Sequence, residues 1–453
     1  MKKHICWLLI VLLLLVGCTG KTETKEEKVV EAPVEGQNIG LYQAEQEETV
    51  IDALPGFDAP VEQKEEPAAT ELPAAPEQTA EPAKVSGYDA FVRTLSAAVI
   101  DGKSNKNLSP ISVYLAVAMA AEGARGETQA EMLALLGAES IEDLRLSAAR
   151  MMLALQANDR TGELTLANSI WLGQQDATVS FHQAYLDVLA QSYDAQAEAV
   201  PFGDAAAAER IAAWIREKTK DKIEISEDAL KFDTQTLAVL INTIYLKDVW
   251  RTPFDQDYTE QGAFQSPAGE MQVKYMRRTD VASTIVRGEG YLRYAMALSE
   301  VGRMVFVLPD EGVSLESLLG SPEKLGELLH GGTEHDAEVD VKLPKFTFQD
   351  RTDLEEILQQ LGVQICFTAD ADFSAMTDAP AYVSRVLQES RIGVDENGVE
   401  AAAYTMMAVA KNAAFPTEHE KVDFHLTRPF LYAIESRDGT VLFVGTVTAP
   451  DKA

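Results

Sequence analysis

The chain has 453 residues, 46% of them hydrophobic and 25% charged, with 72 acidic against 39 basic residues and a formal charge of −33. A molecule this acidic repels phosphate backbones and anionic lipid surfaces, which excludes nucleic acid as a partner class. Its length exceeds that of the usual single domain, so a tail plus one large domain, or two domains, is expected.

The tail is at the amino end. Lys2 and Lys3 precede an apolar run from Ile5 to Val16 that is too short for a typical spanning helix and has the form of a secretory signal. Leu15-Val16-Gly17-Cys18 resembles a bacterial lipobox, in which the signal is removed before a cysteine that becomes lipid-modified. That resemblance implies a signal peptide over 1–17 and a protein tethered through Cys18 to the bacterial cell membrane, outside the cytoplasm.

From Thr19 to Val85 the sequence has 16 acidic residues, 5 lysines, no arginine and 7 prolines. Such a stretch buries too little apolar surface to offset the entropy of ordering it, and residues 18–85 read as a lipidated cysteine followed by a disordered acidic linker. A flexible chain of this length spans about 45 Å. Removing the −11 of this stretch and the +2 of Lys2 and Lys3 leaves about −24 on residues 86–453, a charge that serves solubility first.

Within 86–453 the first strong pattern is 107-NLSPISVYLAVAMAAEGARGETQAEMLALLG-137, a helix, a Gly-containing turn and a second helix. The 122-EGARG-126 turn could suggest an anion loop, but Thr128 and Glu131 at capping-box spacing explain it as the start of the next helix. The segment 241-INTIYLKDVWRTPFD-255 follows, then 330-HGGTEH-335, whose two glycines and five-residue spacing mark a surface turn and not a metal site. Next come 343-LPKFTFQDRTDLEEILQQLGV-363, a strand and a helix, and 365-ICFTA-369, which reads as a buried strand end with Cys366 an inert core thiol. With Cys6 in the signal and Cys18 lipidated, Cys366 has no disulfide partner. No Gly-x-Ser-x-Gly elbow, phosphate loop, Cys-x-x-Cys or His-Glu-x-x-His occurs, so nothing marks an enzyme, a metal centre or a cofactor site.

The segment 395-DENGVEAAAYTMMAVAKNAAFPTEHEKVDFHLTRPFLYAI-434 is the most informative. As a strand, Val399, Ala401, Ala403, Thr405 and Met407 share one small, mostly apolar face, and Glu400, Ala402, Tyr404 and Met406 the other. By periodicity alone, an Ala-rich helix fits the same residues. Lys411 to Lys421, with Pro416, is polar and costly to bury without partners.

Five ordered blocks, namely 107–137, 241–255, 343–363, the 395–434 segment with Arg428-Pro429-Phe430, and 443-FVGTVTAP-450, resemble the serpin family from about Tyr88 to Pro450. The resemblance implies an α+β multi-layer fold over 86–453, with three β-sheets, about eight to nine helices and an exposed reactive-centre loop. It implies an irreversible suicide-substrate inhibitor of extracellular serine proteases, not an enzyme, acting as a monomer by loop cleavage and insertion into the central sheet. Glu396, Gly398, Val399, Glu400, Ala401, Ala402 and Ala403 match the inhibitory hinge, with Val399 in place of the common threonine. Tyr404 departs from the usual small residue.

Counting from the hinge places the scissile bond at Asn412-Ala413, with Lys411-Asn412 as neighbour, while counting back from Pro429 points near Glu418. Small residues there suit an elastase-like or subtilisin-like protease, and Lys411 keeps a trypsin-like one open. Ser109, Ser112 and Asn242 resemble the polar cluster beneath the sheet where strands part, and Trp250 the residue near the top of that opening. Gln388 stands where many relatives have histidine, which makes the cluster less sensitive to pH. The alternatives are a non-inhibitory serpin serving as a binding or chaperone module, and a lipoprotein solute-binding module.

Overall fold

The computed structural model describes residues 86–155, 162–173, 180–222, 225, 230, 232, 236–399 and 419–453. Cys18, the linker, and hinge and loop residues 400–418, including Glu400, Ala401, Ala402, Ala403, Lys411, Asn412 and Ala413, lie outside the described residues.

In chain order the elements are α1 (Ser86–Val99), β1 (Lys106–Leu108), α2 (Pro110–Gly123), α3 (Gly126–Leu136), α4 (Ile141–Leu155), β2 (Glu163–Gly173), α5 (Gln183–Tyr193), β3 (Ala195–Val200), α6 (Ala205–Lys218) and β4 (Ala238–Val249). They continue with β5 (Glu260–Ser266), β6 (Gly269–Gly288), β7 (Tyr291–Ala297), β8 (Gly302–Pro309), α7 (Leu315–Leu318), α8 (Pro322–His330), β9 (Thr333–Pro344), β10 (Phe346–Asp353) and α9 (Glu355–Gln360). The last five are β11 (Leu387–Val394), β12 (Gly398–Val399), β13 (Glu420–His425), β14 (Phe430–Ser436) and β15 (Val441–Val447). Nine α-helices among the described residues agree with the number the sequence implies. No described helix is long and apolar enough to cross a membrane.

The strands form a six-stranded sheet in the order β10-β11-β12-β4-β2-β3 and a nine-stranded one in the order β1-β15-β14-β8-β7-β6-β9-β13, with β5 on β6. Two of the three expected sheets are therefore hydrogen-bonded into one. The cause is β6, which runs on for 20 residues through a bulge between Asp280 and Ser283 and joins the β5-β9-β13 strands to the β7-β8-β14-β15 strands.

Apart from Ser112 and the Tyr114 hydroxyl, helix α2 is apolar on every face from Ile111 to Ala121, as suits a helix buried nearly all round. It touches β4 of the six-stranded sheet and β15 of the nine-stranded one, so it lies between the two layers. The wholly buried β14 and β15 contribute their side chains to the same core. A second, smaller core forms where α6 sets Ile211, Trp214 and Ile215 against Trp171, and it covers the other face of the six-stranded sheet.

Two local expectations are corrected. Thr128 and Glu131 make no capping box: α3 starts one turn earlier, at Gly126, and the side chain of its cap residue Arg125 makes no capping hydrogen bond to the helix. Both side chains are held instead by the 364–372 segment, Thr128 Oγ1 accepting from the Asp372 amide at 2.9 Å and Glu131 Oε2 from the Gln364 and Ile365 amides at 2.7 and 2.8 Å. Residues Ile365–Phe367 form a 3-10 turn, not a strand end. Cys366 is buried there as expected, and burial pushes its thiol pKa up to about 12, which leaves it unreactive.

Candidate functional site: a gap in the six-stranded sheet

β4 and β11 run parallel, and among the described residues they are joined only through β12, two residues long and antiparallel to both. Val399 pairs with Val394 on one side and with Asp248 on the other, while Gly398 faces Val249. Val399 is 2% exposed and packs into the main core, which is the face the sequence alternation assigned to it. The strand reading of the hinge, not the helical one, holds for the two residues that are described. Below Val399, the gap-facing edges of β4 and β11 have no partner strand among the described residues.

Backbone geometry explains the glycine. A Cβ on Gly398 would stand 2.1 Å from the Asp248 carbonyl oxygen and 2.7 Å from the Val249 Cα, so no larger residue fits between the strands there. The turn leading to it is closed by Asp395, whose Oδ1 accepts from the Asn397 and Gly398 amides at 2.8 and 3.3 Å. The Asp395 amide donates to the Gly398 carbonyl at 3.0 Å.

Glu396 locks this end. Its carboxylate is 6% exposed and accepts from Lys345 Nζ at 2.6 Å and Thr259 Oγ1 at 2.8 Å. Burial alone would raise its pKa, but the ammonium and hydroxyl outweigh that and hold it below the usual glutamate value. Trp250, fully buried, donates from its amide to the Asn397 carbonyl at 2.8 Å and from its indole to the Asp395 carbonyl at 2.9 Å. Trp250 thus ties the turn before β12 to the end of β4.

The middle of the gap is different. Beneath it lies a cavity of about 120 Å³, lined by Ser112, Val117, Leu240, Asn242, Phe373 and Gln388 among others. On the α6 side a second cavity of about 70 Å³ borders Ile215, Leu240, Thr243, Leu387 and Glu389. The residues expected to form one polar cluster here are split. Gln388 grips the backbone of Ser109, accepting from its amide at 2.9 Å and donating to its carbonyl at 2.8 Å, while Ser109 Oγ donates to the Leu442 carbonyl at 2.9 Å. Asn242 donates across β4–β2 to Asn168 Oδ1 at 2.6 Å, and Asn168 donates to the Tyr193 carbonyl at 2.6 Å. Ser112 Oγ and Asn242 Oδ1 are buried with no hydrogen-bond partner among the described residues.

Lys345, Thr259 and Asn168 are site residues that the sequence reading did not single out. Lys345 stands inside the 343-LPKF-346 block, so its position was visible and its partner was not. Asn168 directly opposes Asn242 in the β2–β4 register, and only that register reveals it.

The described residues thus show a sheet whose strands β4 and β11 are bridged at one end by the two-residue β12. The comparisons agree with that geometry. The family model Serpin (serine protease inhibitor) matches residues 87–450. Human Serpin B9 is 30% identical over 372 residues, covering 79% of this chain and 97% of that protein. Wheat Serpin-Z1C is 28% identical over 377 residues, covering 79% and 93%. Among solved structures, Serpin48 of the insect Tenebrio molitor superposes with a TM-score of 0.70 at 27% identity over 81% of this chain and 98% of that one. The thermophilic serpin tengpin in its native state gives 0.70 at 28% over 80% and 93%. The chain belongs to the serpins, a family made up mostly of protease inhibitors and not of catalysts.

Proposed function

We propose that this protein is a single-use inhibitor of extracellular serine proteases that works by inserting its cleaved loop into the gap between β4 and β11. The observation that carries this reading is β12: Gly398 and Val399 occupy the first two positions of a missing strand, in hydrogen-bonding register with both neighbours. A protease attacks the loop, forms an acyl-enzyme at Asn412-Ala413, and thereby frees the segment after Val399. That segment continues β12 down the gap and carries the protease with it before the ester is hydrolysed. Ladder hydrogen bonds along two strand edges and the burial of small side chains drive the step.

Continuing the two registers of β12 sets Ala401 opposite Leu246 and Ile392, Ala403 opposite Ile244 and Ser390, and Thr405 opposite Asn242 and Gln388. The polar member of the inward-facing set arrives where Ser112 Oγ and Asn242 Oδ1 lack partners. The alanines arrive where the neighbours are mostly large and apolar. This match of small with large and polar with polar supports insertion with Val399 on the core face.

The small residues Ala410, Ala413 and Ala414 favour an elastase-like or subtilisin-like target, with a trypsin-like one open through Lys411. The amino-terminal pattern ending at Cys18 supports a lipid anchor on the outer side of a bacterial cell membrane, with residues 19–85 as the spacer. Radiolabelled palmitate incorporation that is lost in Cys18→Ala tests the anchor. Incubation of residues 86–453 with elastase, subtilisin and trypsin, read on a denaturing gel, tests the inhibitor. A covalent complex resistant to detergent, with release of a carboxy-terminal fragment beginning at Ala413, is expected. Clean turnover of the loop by all three proteases without a complex would contradict the reading.

A further inference from the structure

β13 begins at Glu420, directly after the loop, and among the described residues it is an edge strand with β9 as its only neighbour in the sheet. The pair is parallel, and its register sets Asp423 directly opposite Asp340. Two carboxylates directly opposed on one face of a sheet repel each other. The inward face of the pair is satisfied by Val339, Val341, Val422 and Phe424, all buried. The outward face has Asp340, Asp423 and, two residues further along β13, His425.

Asp340 is neutralised in part by Arg277, whose Nη2 donates to Asp340 Oδ2 at 2.9 Å, and His425 Nε2 lies 2.9 Å from that same oxygen. The other cations nearby are committed elsewhere: Lys342 to Glu260 and the Tyr275 ring, and Lys421 to Glu338. Asp423 has no ion pair or hydrogen bond among the described residues. The fold thus holds one uncompensated carboxylate against a second carboxylate and an imidazole, with one ligand atom from each lying within 4.8 Å of the others.

From this geometry we infer that Asp340, Asp423 and His425 bind a divalent transition-metal ion, with Zn²⁺ the best-fitting probe. One imidazole and two carboxylates suit Zn²⁺, Mn²⁺ or Co²⁺ better than Ca²⁺ or Mg²⁺, which favour all-oxygen sets. A tetrahedral zinc with bonds of about 2.0–2.2 Å needs ligand atoms about 3.4 Å apart, so His425 Nε2 gives up its 2.9 Å contact with Asp340 Oδ2 and Asp423 moves toward the other two groups. Asp423 is exposed and can rotate to do so. Water takes the fourth position. Arg277 stays on Asp340 as a supporting partner and leaves the second oxygen, Oδ1, for the metal. The ion would tie the edge strand that follows the loop to β9, replacing a like-charge contact by a cross-strand bridge.

The test is competition between the folded protein and a zinc-responsive dye, followed for the parent and for Asp423→Asn, His425→Gln and His335→Gln. One zinc equivalent per chain is expected. Its affinity should weaken at least about tenfold in Asp423→Asn and in His425→Gln, since even lost supporting partners cost that much, and should be unchanged in His335→Gln. Co²⁺ should give visible d–d absorption in the parent and lose it in both ligand variants. No zinc binding, equal binding by all four proteins, or full displacement by equimolar Mg²⁺ would overturn the assignment. Circular dichroism of both surface variants separates loss of a ligand from loss of fold.

Discussion

The two ends of the opening between β4 and β11 are built on opposite terms. At the hinge end the buried polar groups have partners: Glu396 has Lys345 and Thr259, the Asp395 and Asn397 carbonyls have Trp250, and the turn is closed by Asp395 itself. Halfway down, a cavity separates the strands, and Ser112 Oγ and Asn242 Oδ1 are buried without partners. One end is a finished sheet and the other an unfinished one. Buried polar groups left unpaired cost about 1–3 kcal/mol each, so under the proposed mechanism the unfinished end would store free energy for an arriving strand to release. On the same proposal, the finished end would admit the strand from one side and in the register that Gly398 and Val399 already hold.

Four substitutions sharpen that contrast, in order of decreasing effect. Ala401→Arg places a charge where the register calls for a small side chain over Leu246 and Ile392, and a buried unpaired charge is strongly unfavourable. It is expected to abolish the detergent-resistant complex and leave the protein a substrate, as read on a denaturing gel. If the complex still forms at the parent rate, the register is wrong.

Lys345→Met strands the Glu396 carboxylate at the finished end. Loss of one partner of a buried pair costs about 3–5 kcal/mol, and the partial exposure of Lys345 puts this case at about 3 kcal/mol or less in urea unfolding at neutral pH. The pH dependence has a definite sign. Because the folded pKa of Glu396 lies below its ordinary 4.5, the pair stabilises fully above that value, and its contribution fades as pH falls through the lower folded one. The difference between parent and variant should therefore shrink on acidification below about pH 4.5.

Gly398→Val collides with the Asp248 carbonyl and forces β12 out of line, at a cost of about 1–3 kcal/mol measured by the same urea titration. Ser112→Ala acts at the unfinished end and has the smallest effect with the opposite sign: deleting an unpartnered buried hydroxyl should stabilise the intact protein by about 1 kcal/mol. Destabilisation by Ser112→Ala would mean that the hydroxyl is already satisfied and that the gap stores less than supposed.

Much of this architecture was legible in the chain. The strand at Gly398 and Val399 was readable because alternation of small side chains is a local signal, and the strands β4, β10, β14 and β15 overlap blocks with a recognisable order. What was not legible depends on contacts between distant residues. Thr128 and Glu131 have the spacing of a capping box, yet a segment more than 230 residues away captures both side chains, because its unpaired amides offer stronger partners. Ser109, Ser112, Asn242 and Gln388 read as one cluster in sequence, but in the fold Gln388 bonds Ser109, Asn242 bonds Asn168, and Ser112 Oγ has no partner among the described residues. Asn168 escaped notice because only the β2–β4 register brings it to Asn242.

Amide hydrogen exchange along β4 and β11, before and after loop cleavage, reads the unfinished end most directly. Gap-facing amides between Ala238 and Lys247 and between Leu387 and Gly393 should exchange readily in the intact protein and become strongly protected once the loop is cut, while the hinge amides change little. Unchanged exchange in those two strands after cleavage would show that no strand enters and would contradict the account.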